Sequence, residues 1–396
     1  MGLKSIVPKA TVKYLGLHPH DLYVLKSIKR PEWVVRLGLR IPRARVTMAP
    51  IEHPTAADIL LCERLITAYI QASEGDKVAC GSIWARIIGR KYNFLHSALE
   101  QREAAALANV LSLMFRSSCV HGIASGDLYT GRTARRIWEL KLLDDLVSLA
   151  EFLAVTRVEN PEQGQIGAAL SDGIDPLVDR IEEELGTPIG FPNVGGPYGL
   201  RSRDRLLTME SPEHIYVATR IRNTISFHLS TIDHPIVLEI GAGFGGTASY
   251  LLRLAPAIQS YVIVDLPIVN VLQGYFLSKT FGINAVSFFG EANSRIQVLP
   301  TTAIDGCSPD VLVNENSMPE MAEDTVHGYL RWAKSHVHGV FYSYQQEAWT
   351  KQVWVREAIK RVGGFRVLSR NPSWVRRGYV EEVYSVSPEN PTSSIV

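Results

Sequence analysis

The sequence predicts an α/β protein: a mostly parallel sheet flanked by helices in the C-terminal half, closed by an antiparallel hairpin and preceded by an all-helical N-terminal domain. Three observations predict it. A glycine-rich turn joins an apolar run to an amphipathic one at 237–252, "VLEIGAGFGGTASYLL". Short apolar runs then alternate with helical patterns to the C-terminus, and between 51 and 187 apolar residues recur at three- and four-residue steps with no strand pattern.

Residues 1–50 form a basic leader. They carry ten Lys or Arg against Asp21 and Glu32, a net +8 that leaves the remainder at −7 in a chain whose total is +1. An anionic substrate or an acidic partner would use Lys26, Lys29, Arg30, Arg36, Arg40, Arg43 and Arg45. A solvated, partly disordered leader is the plainer reading and the favoured one. No aromatic-interleaved basic motif accompanies the charges, so nucleic acid is not an expected partner.

Residues 51–187 read as a helical domain built from "AADILLCERLITAYIQAS", "FLHSALEQREAAALANVLSLMF", "ARRIWELKLLDDLVSLAEFLAV" and "IGAALSDGIDPLVDRIEEELG". Its role is scaffolding, contact between copies in a homo-oligomer, or a roof that selects the substrate. Residues 188–210 read as a Gly/Pro-rich loop or lid, because "PIGFPNVGGPYG" has seven Gly or Pro in twelve positions, which stops both helix and strand. Phe191, Asn193 and Tyr198 suit a substrate lid as well as a linker.

Residues 211–396 read as the sheet domain. In "SPEHIYVATRIRNTI", Ser211 is the expected N-cap with Pro212 at the first helical position. His214, Ala218, Ile221 and Ile225 share one face, which points His214 inward as a core residue or towards the crevice. Tyr216 and Arg220, on another face, reach cofactor or solvent. The run Ile236 to Ile240 follows as a buried parallel strand. Gly241, Gly243, Gly245 and Gly246 then free the turn from side chains, and the helix after it offers its unpaired N–H groups to an anionic or nucleotide-like ligand. The second strand, "SYVIVDLP", ends in Asp265, placed to accept from ribose hydroxyls, with Leu266 beside it.

Gly241, Gly243 and Gly246 also fit G-x-G-x-x-G, a weak sign of NAD binding that would need a second mononucleotide half. The remaining chain reads instead as strands "NAVSFFGE", "DVLVNENS" and "VHGVFYSYQQ", helices "PEMAEDTVHGYLRWAKSH" and "AWTKQVWVREAIKRVGG", and a hairpin of "FRVLSRN" and "YVEEVYSVS" joined by "PSWVRRG". A sheet ending this way resembles the Rossmann-like fold of class I S-adenosylmethionine (SAM)-dependent methyltransferases. Within that class, "VLEIGAGFGGTASYLL", "YVIVDLPIVNVLQGYFLSKTFG" and "VNENSMPEM" are together similar to the bacterial sugar O-methyltransferase family. The similarity is strongest from about Ser211 onward and weaker over "ERLITAYIQAS" and "GSIWARIIGRKYNFLHSAL".

The resemblance implies SAM as cofactor and methyl transfer to a hydroxyl of a sugar-like or other polyhydroxylated small molecule, in secondary metabolism or glycan modification. It implies a cofactor site of Glu239, Gly241, Ala242, Gly243, Gly245, Asp265, Leu266, Gly290, Glu291 and Asn314, with Glu291 towards the adenine. Such a transfer needs the acceptor held in line and its proton removed. His214 is the first candidate base. Glu320, matching the family's Glu-Met pair, is the second, although Ser317 to Glu320 is also a capping-box pattern. His327 is weaker, and His336 and His338 fall at the wrong strand end. The methyl is expected to face Asn314, Glu315, Asn316 and Ser317, and substrate contacts are expected from Tyr198, Asn316, Ser317 and Tyr344, with Tyr342 and Gln345 nearby. A non-catalytic SAM-binding partner protein and an NAD-dependent oxidoreductase are the alternatives.

Cys62, Cys80, Cys119 and Cys307 lack paired spacing, so neither disulfide nor metal site is expected. The absence of an apolar leader or a membrane-length run makes a cytoplasmic protein the expectation.

Overall fold

A computed structural model describes residues 19–35, 41–74, 83–124, 132–164, 166–349 and 353–386. Arg36, Arg40 and Cys80 lie outside them.

Two short helices, α1 (Pro19–Ser27) and α2 (Pro31–Val35), and strand β1 (Arg45–Met48) precede the long α3 (Ala56–Ser73). Helix α3 starts at a true capping box: Thr55 accepts from Asp58 N and Asp58 accepts in return from Thr55 N. Next come α4 (Ile83–Lys91), α5 (Asn93–Glu100), α6 (Ala104–Leu111), α7 (Arg132–Phe152) and α8 (Ile174–Leu185). The run 94–115, read as one helix, is two: Arg102 adopts a left-handed φ of 57° between α5 and α6, which breaks the hydrogen-bond ladder.

The leader is solvated only in part where it is described: Lys26, Arg43 and Arg45 are exposed, whereas Arg30 is not. The Arg30 side chain is 11% exposed and pairs with Asp144 (2.7 Å), Glu151 (2.6 Å) and Glu159 (3.2 Å), while Lys29 N donates to Asp144 Oδ2 (2.7 Å). Three buried acidic side chains of α7 are the counter-charge that the leader's composition alone does not disclose: Asp144 and Glu151 pair with Arg30, and Glu139 with Arg43.

The Gly/Pro-rich stretch is likewise structured. Its second half forms the strands β2 (Tyr198–Ser202) and β3 (Arg205–Leu207), which make a small antiparallel sheet with β1. Its first half is pinned: Phe191 N donates to Leu206 O (2.7 Å), and Ile189 O accepts from Tyr250 OH (3.1 Å).

The second sheet has eight strands. After α9 (Ser211–His228) come β4 (Ile236–Ile240), α10 (Gly246–Leu254), β5 (Ser260–Asp265), α11 (Pro267–Phe281), β6 (Val286–Phe288), β7 (Ile296–Pro300), β8 (Val311–Glu315), α12 (Glu323–His336), β9 (Val340–Gln346), α13 (Val355–Val362), β10 (Phe365–Pro372) and β11 (Tyr379–Val386). Their order is β10-β11-β9-β8-β4-β5-β7-β6. Strands β6 to β9 with β4 and β5 pair in parallel, and β11 pairs antiparallel with both β9 and β10. The expected α/β sheet with its closing hairpin is therefore present.

One strand differs from expectation. "NAVSFFGE" supplies only β6 at the edge, and the strand beside β5 is β7, from "IQVLP". Alternate burial of Ile296, Val298 and Pro300 marks β7. A five-residue run that begins after Arg295 and stops at a proline is too short to stand out by periodicity. Among the described residues, no helix is long and apolar enough to cross a membrane.

Candidate active site at the strand ends

The chain leaves β4 towards β5, β7 and β6 on one side, then returns to β8 on the other. The crevice between the carboxyl ends of β4 and β8 is thus the switch point at which open α/β sheets bind ligands. Three glycines shape its lip: Gly241, Gly243 and Gly245 have φ of 73°, 59° and 91°. A side chain at Gly241 would fall on the Ser317 hydroxyl, and one at Gly246 on the His214 ring, so the turn passes where only bare backbone fits. Ala242 closes the turn by accepting from Gly245 N (2.9 Å). Phe244 anchors it from below, with ring centroids 5.0 Å from Phe115, 5.9 Å from Phe191 and 5.1 Å from Phe276. Two of those rings come from the helical half and the pinned loop.

Asp265 ends β5 beside this turn. Its Oδ1 accepts from Leu266 N (2.8 Å) and its Oδ2 from Gln273 Nε2 (2.7 Å), and Gln273 also donates to Gly243 O (2.9 Å). Gln273 therefore ties the carboxylate to the glycine turn. The sequence reading misses it, although two amides, Asn270 and Gln273, in the otherwise apolar run 268–277 are the available signal. Further along the sheet, a mainly apolar cleft lies between Leu65, Tyr69 and Ala72 of α3 and Pro267, Asn270 and Phe289. Asn270 donates to Gln273 Oε1 (2.9 Å), and its own Oδ1 is buried without a partner.

Four expected cofactor contacts are engaged otherwise. Glu291 forms a two-pronged pair with Arg64 of α3 (2.8 and 2.7 Å) and accepts from Phe288 N, so the helical half takes the carboxylate assigned to adenine. Gly290, at φ 88°, is packed against Gln71. Asn314 is fully buried and joins strand ends: it donates to Ile240 O (2.8 Å) and Ser317 Oγ (2.6 Å) and accepts from Gln345 (2.7 Å). Glu239 is 1% exposed and accepts from Tyr261 OH (2.7 Å), and burial pushes its carboxyl up to about 7.

The β8 end is where ionisable groups gather. Glu315 Oε2 accepts from Thr247 Oγ1 (2.5 Å), a bond that spans the crevice from β8 to the first turn of α10. Asn316 follows with a left-handed φ of 55°, its N–H donating to Tyr344 O (2.8 Å). From α9, both oxygens of Glu213 accept from Arg376 Nη1 (2.9 and 2.8 Å), and the guanidinium lies over the Tyr379 ring (4.1 Å). Burial opposes the Glu213 charge, but Arg376 outweighs it and holds the carboxyl below its ordinary range. Next in sequence, His214 lies edge-on to Phe244 (5.4 Å) with Nδ1 buried and unpartnered. Burial holds its imidazole below the ordinary value, against the pull of Glu213 and Glu210. Asp145 of α7, pushed up to about 7 by burial despite its pairing with Lys141, lies within electrostatic reach of Glu213.

The inward His214 thus reaches the crevice. Tyr216 and Arg220 do not contact it: both bind the buried Glu381, at 3.1 and 3.0 Å. Ser211 does not cap α9, whose N-cap is Glu210; its hydroxyl accepts from Thr208 N (2.9 Å). The capping box at Ser317 is also absent, since Ser317 Oγ donates to Ile240 O (3.1 Å). That leaves Glu320 half-buried at the end of a short 3₁₀ turn, within electrostatic reach of Tyr379. Tyr344 is a buried wall, bonded to Ser373 (2.9 Å) and stacked on Tyr379. Tyr198 belongs to the small sheet, opposite Met48. His338 pairs with Ser308 (2.6 Å) at the far end of β9.

No family model matches this chain. No curated protein matches it either. Among solved structures, it is similar to the magnesium protoporphyrin IX methyltransferase of Synechocystis PCC 6803 with bound SAM, at 9% identity and a TM-score of 0.32 over 44% of this chain and 81% of that one. It is also similar to the N-methyltransferase NodS of Bradyrhizobium japonicum WM9, at 14% identity and TM-score 0.31 over 43% and 87%. An O-methyltransferase family protein of Burkholderia thailandensis gives 13% and 0.33 over 46% and 60%. Likenesses this distant have no weight for the chemistry of the site.

Proposed function

We propose that the chain is a SAM-dependent methyltransferase acting on a hydroxyl of a sugar-like or other polyhydroxylated small molecule. The observation that carries this reading is a row of features along one edge of the sheet. An apolar cleft with the orphaned Asn270 Oδ1 is followed by Asp265, then by the left-handed glycine turn, and finally by an ionisable cluster at β8. Read as an adenosine site, the row has one direction. Asn270 Oδ1 is an acceptor suited to an exocyclic amine, Asp265 to ribose hydroxyls, and the turn and the N–H groups of α10 to the amino-acid tail. When bound, SAM supplies a methyl already carried on a good leaving group, so the protein's part is orientation and proton removal.

His214 performs the second task. An imidazole kept neutral by burial, with a free Nδ1 beside the glycine turn, accepts a hydroxyl proton. Asn316, Ser317 and Tyr379 offer polar groups to an acceptor with several hydroxyls. Thermal unfolding with S-adenosylhomocysteine (SAH) and with NAD tests the cofactor: a ligand at a hundred times its Kd stabilises by about 2.7 kcal/mol. Stabilisation by NAD and not by SAH would overturn the reading. With labelled SAM and a panel of polyols, glycosides and amines, transfer to hydroxyls is expected, and His214→Gln should lower it by about 10²-fold while SAH affinity stays within about twofold.

A further inference from the structure

We propose that Glu315 reads the charge of the cofactor, exchanging its proton for the sulfonium cation so that the site prefers SAM to its demethylated product. The inference rests on the cofactor reading above. It starts from position. The adenine cleft, Asp265 and the glycine turn follow one another from β7 through β5 to β4, so the end of the nucleoside that carries sulfur points to β8, where Glu315 is the last residue. The Thr247 bond fixes Glu315 Oε2 across the mouth of that crevice.

Its surroundings decide its proton. Glu315 is faced by Glu213 of α9, Glu239 of β4, Arg376 of the β10–β11 turn, and the hydroxyls of Tyr261, Tyr344 and Tyr379. Burial first, then Glu213 and Glu239, push its carboxyl well above the usual range, while Thr247 and Arg376 only partly oppose them. Raised in this way, the carboxyl holds its proton more tightly than a free glutamate does, and a cation arriving nearby favours the ionised form.

The proton balance closes. Entry of SAM sends one proton from Glu315 to solvent. Methyl transfer converts the sulfonium to a neutral thioether and frees one proton from the hydroxyl, and Glu315 regains a proton as the positive charge disappears. By linkage, SAM affinity rises with pH by up to about tenfold per unit while Glu315 is protonated in the free protein and ionised in the complex, whereas SAH affinity stays flat.

Isothermal titration of the full chain with SAM and with SAH, in two buffers of different ionisation enthalpy at pH 7, reads the exchange directly. About one proton released per SAM and about none per SAH is the expected result. Glu315→Gln should abolish the release and bring the two affinities together. Thr247→Val, which keeps the carboxyl but removes its donor, should lower the preference for SAM in a protein of intact core. Equal proton exchange with both ligands, or release that survives in Glu315→Gln, would overturn the proposal and assign the proton to another group such as Glu239. A chain that binds neither ligand would remove the cofactor reading and this inference with it.

Discussion

At the residue scale, the site is built from polar groups whose burial is tolerated because each meets a partner, with few exceptions. Asn270 Oδ1 is one exception, in a cleft that is otherwise apolar. Leaving a buried acceptor unmet costs roughly 1–3 kcal/mol, which a ligand amine would recover. Asn270→Leu is therefore expected to keep or raise the melting temperature while weakening SAH binding by about tenfold, measured by titration calorimetry. Glu239 gives a pH test. Its pKa is raised in the folded state, so the fold binds that proton more tightly than the unfolded chain does. Its contribution is complete below the ordinary carboxylate range and is lost as pH climbs towards about 7, at about 1.4 kcal/mol per unit between the two values. Chemical denaturation from pH 5 to pH 8 should show stability falling, and Glu239→Gln should flatten the slope. None of this is visible in the letters. Asp265 and the glycines are legible because backbone chemistry at a strand end demands them, whereas Gln273 reaches Gly243 across 30 residues and Glu213 meets Arg376 across 163.

At the element scale, short-range rules succeed where one element carries its own signal. The amphipathic run 56–73 is α3 with its capping box, and the apolar runs at 236–240 and 260–265 are β4 and β5. They fail where the signal is shared. Ser211 and Ser317 look like caps, but tertiary partners draw their hydroxyls away, to Thr208 N and Ile240 O. The β4–α10 turn supplies the test at this scale. Gly241 and Gly363 both have φ near 70°, yet a side chain at Gly241 meets Ser317 while one at Gly363 meets open space. Alanine at Gly363, whose ψ of 176° makes the conformation essentially one for glycine, should cost about 1–3 kcal/mol of strain and leave SAH binding intact. Alanine at Gly241 should cost more and abolish the SAH-induced thermal shift, as scanning calorimetry of both variants will read.

At the scale of the whole molecule, the helical half and the sheet half share one core around the turn. Phe115 and Phe191 pack on Phe244, Arg64 of α3 holds Glu291, and Lys279 of α11 pairs with Asp58 (2.8 Å). The basic leader is part of that assembly through Arg30. Removing Arg30 strands Asp144, Glu151 and Glu159 in a buried setting, so Arg30→Ala is expected to destabilise by about 3 kcal/mol. Limited proteolysis should then cut the leader first, and Arg30→Lys should restore only part of the protection, because three carboxylates need the planar fork of arginine.

By itself the sequence determined the sheet class, the closing hairpin, the glycine turn and its neighbouring carboxylate, since each follows from local periodicity or from the backbone freedom of glycine. Only the tertiary structure decided the rest: which acids gather at the end of β8, in which direction their neighbours shift them, and which contacts are spent on holding the two halves together. The physical reason is that a carboxyl's charge depends on burial and on neighbours from other elements, and neither is written in the segment that carries it.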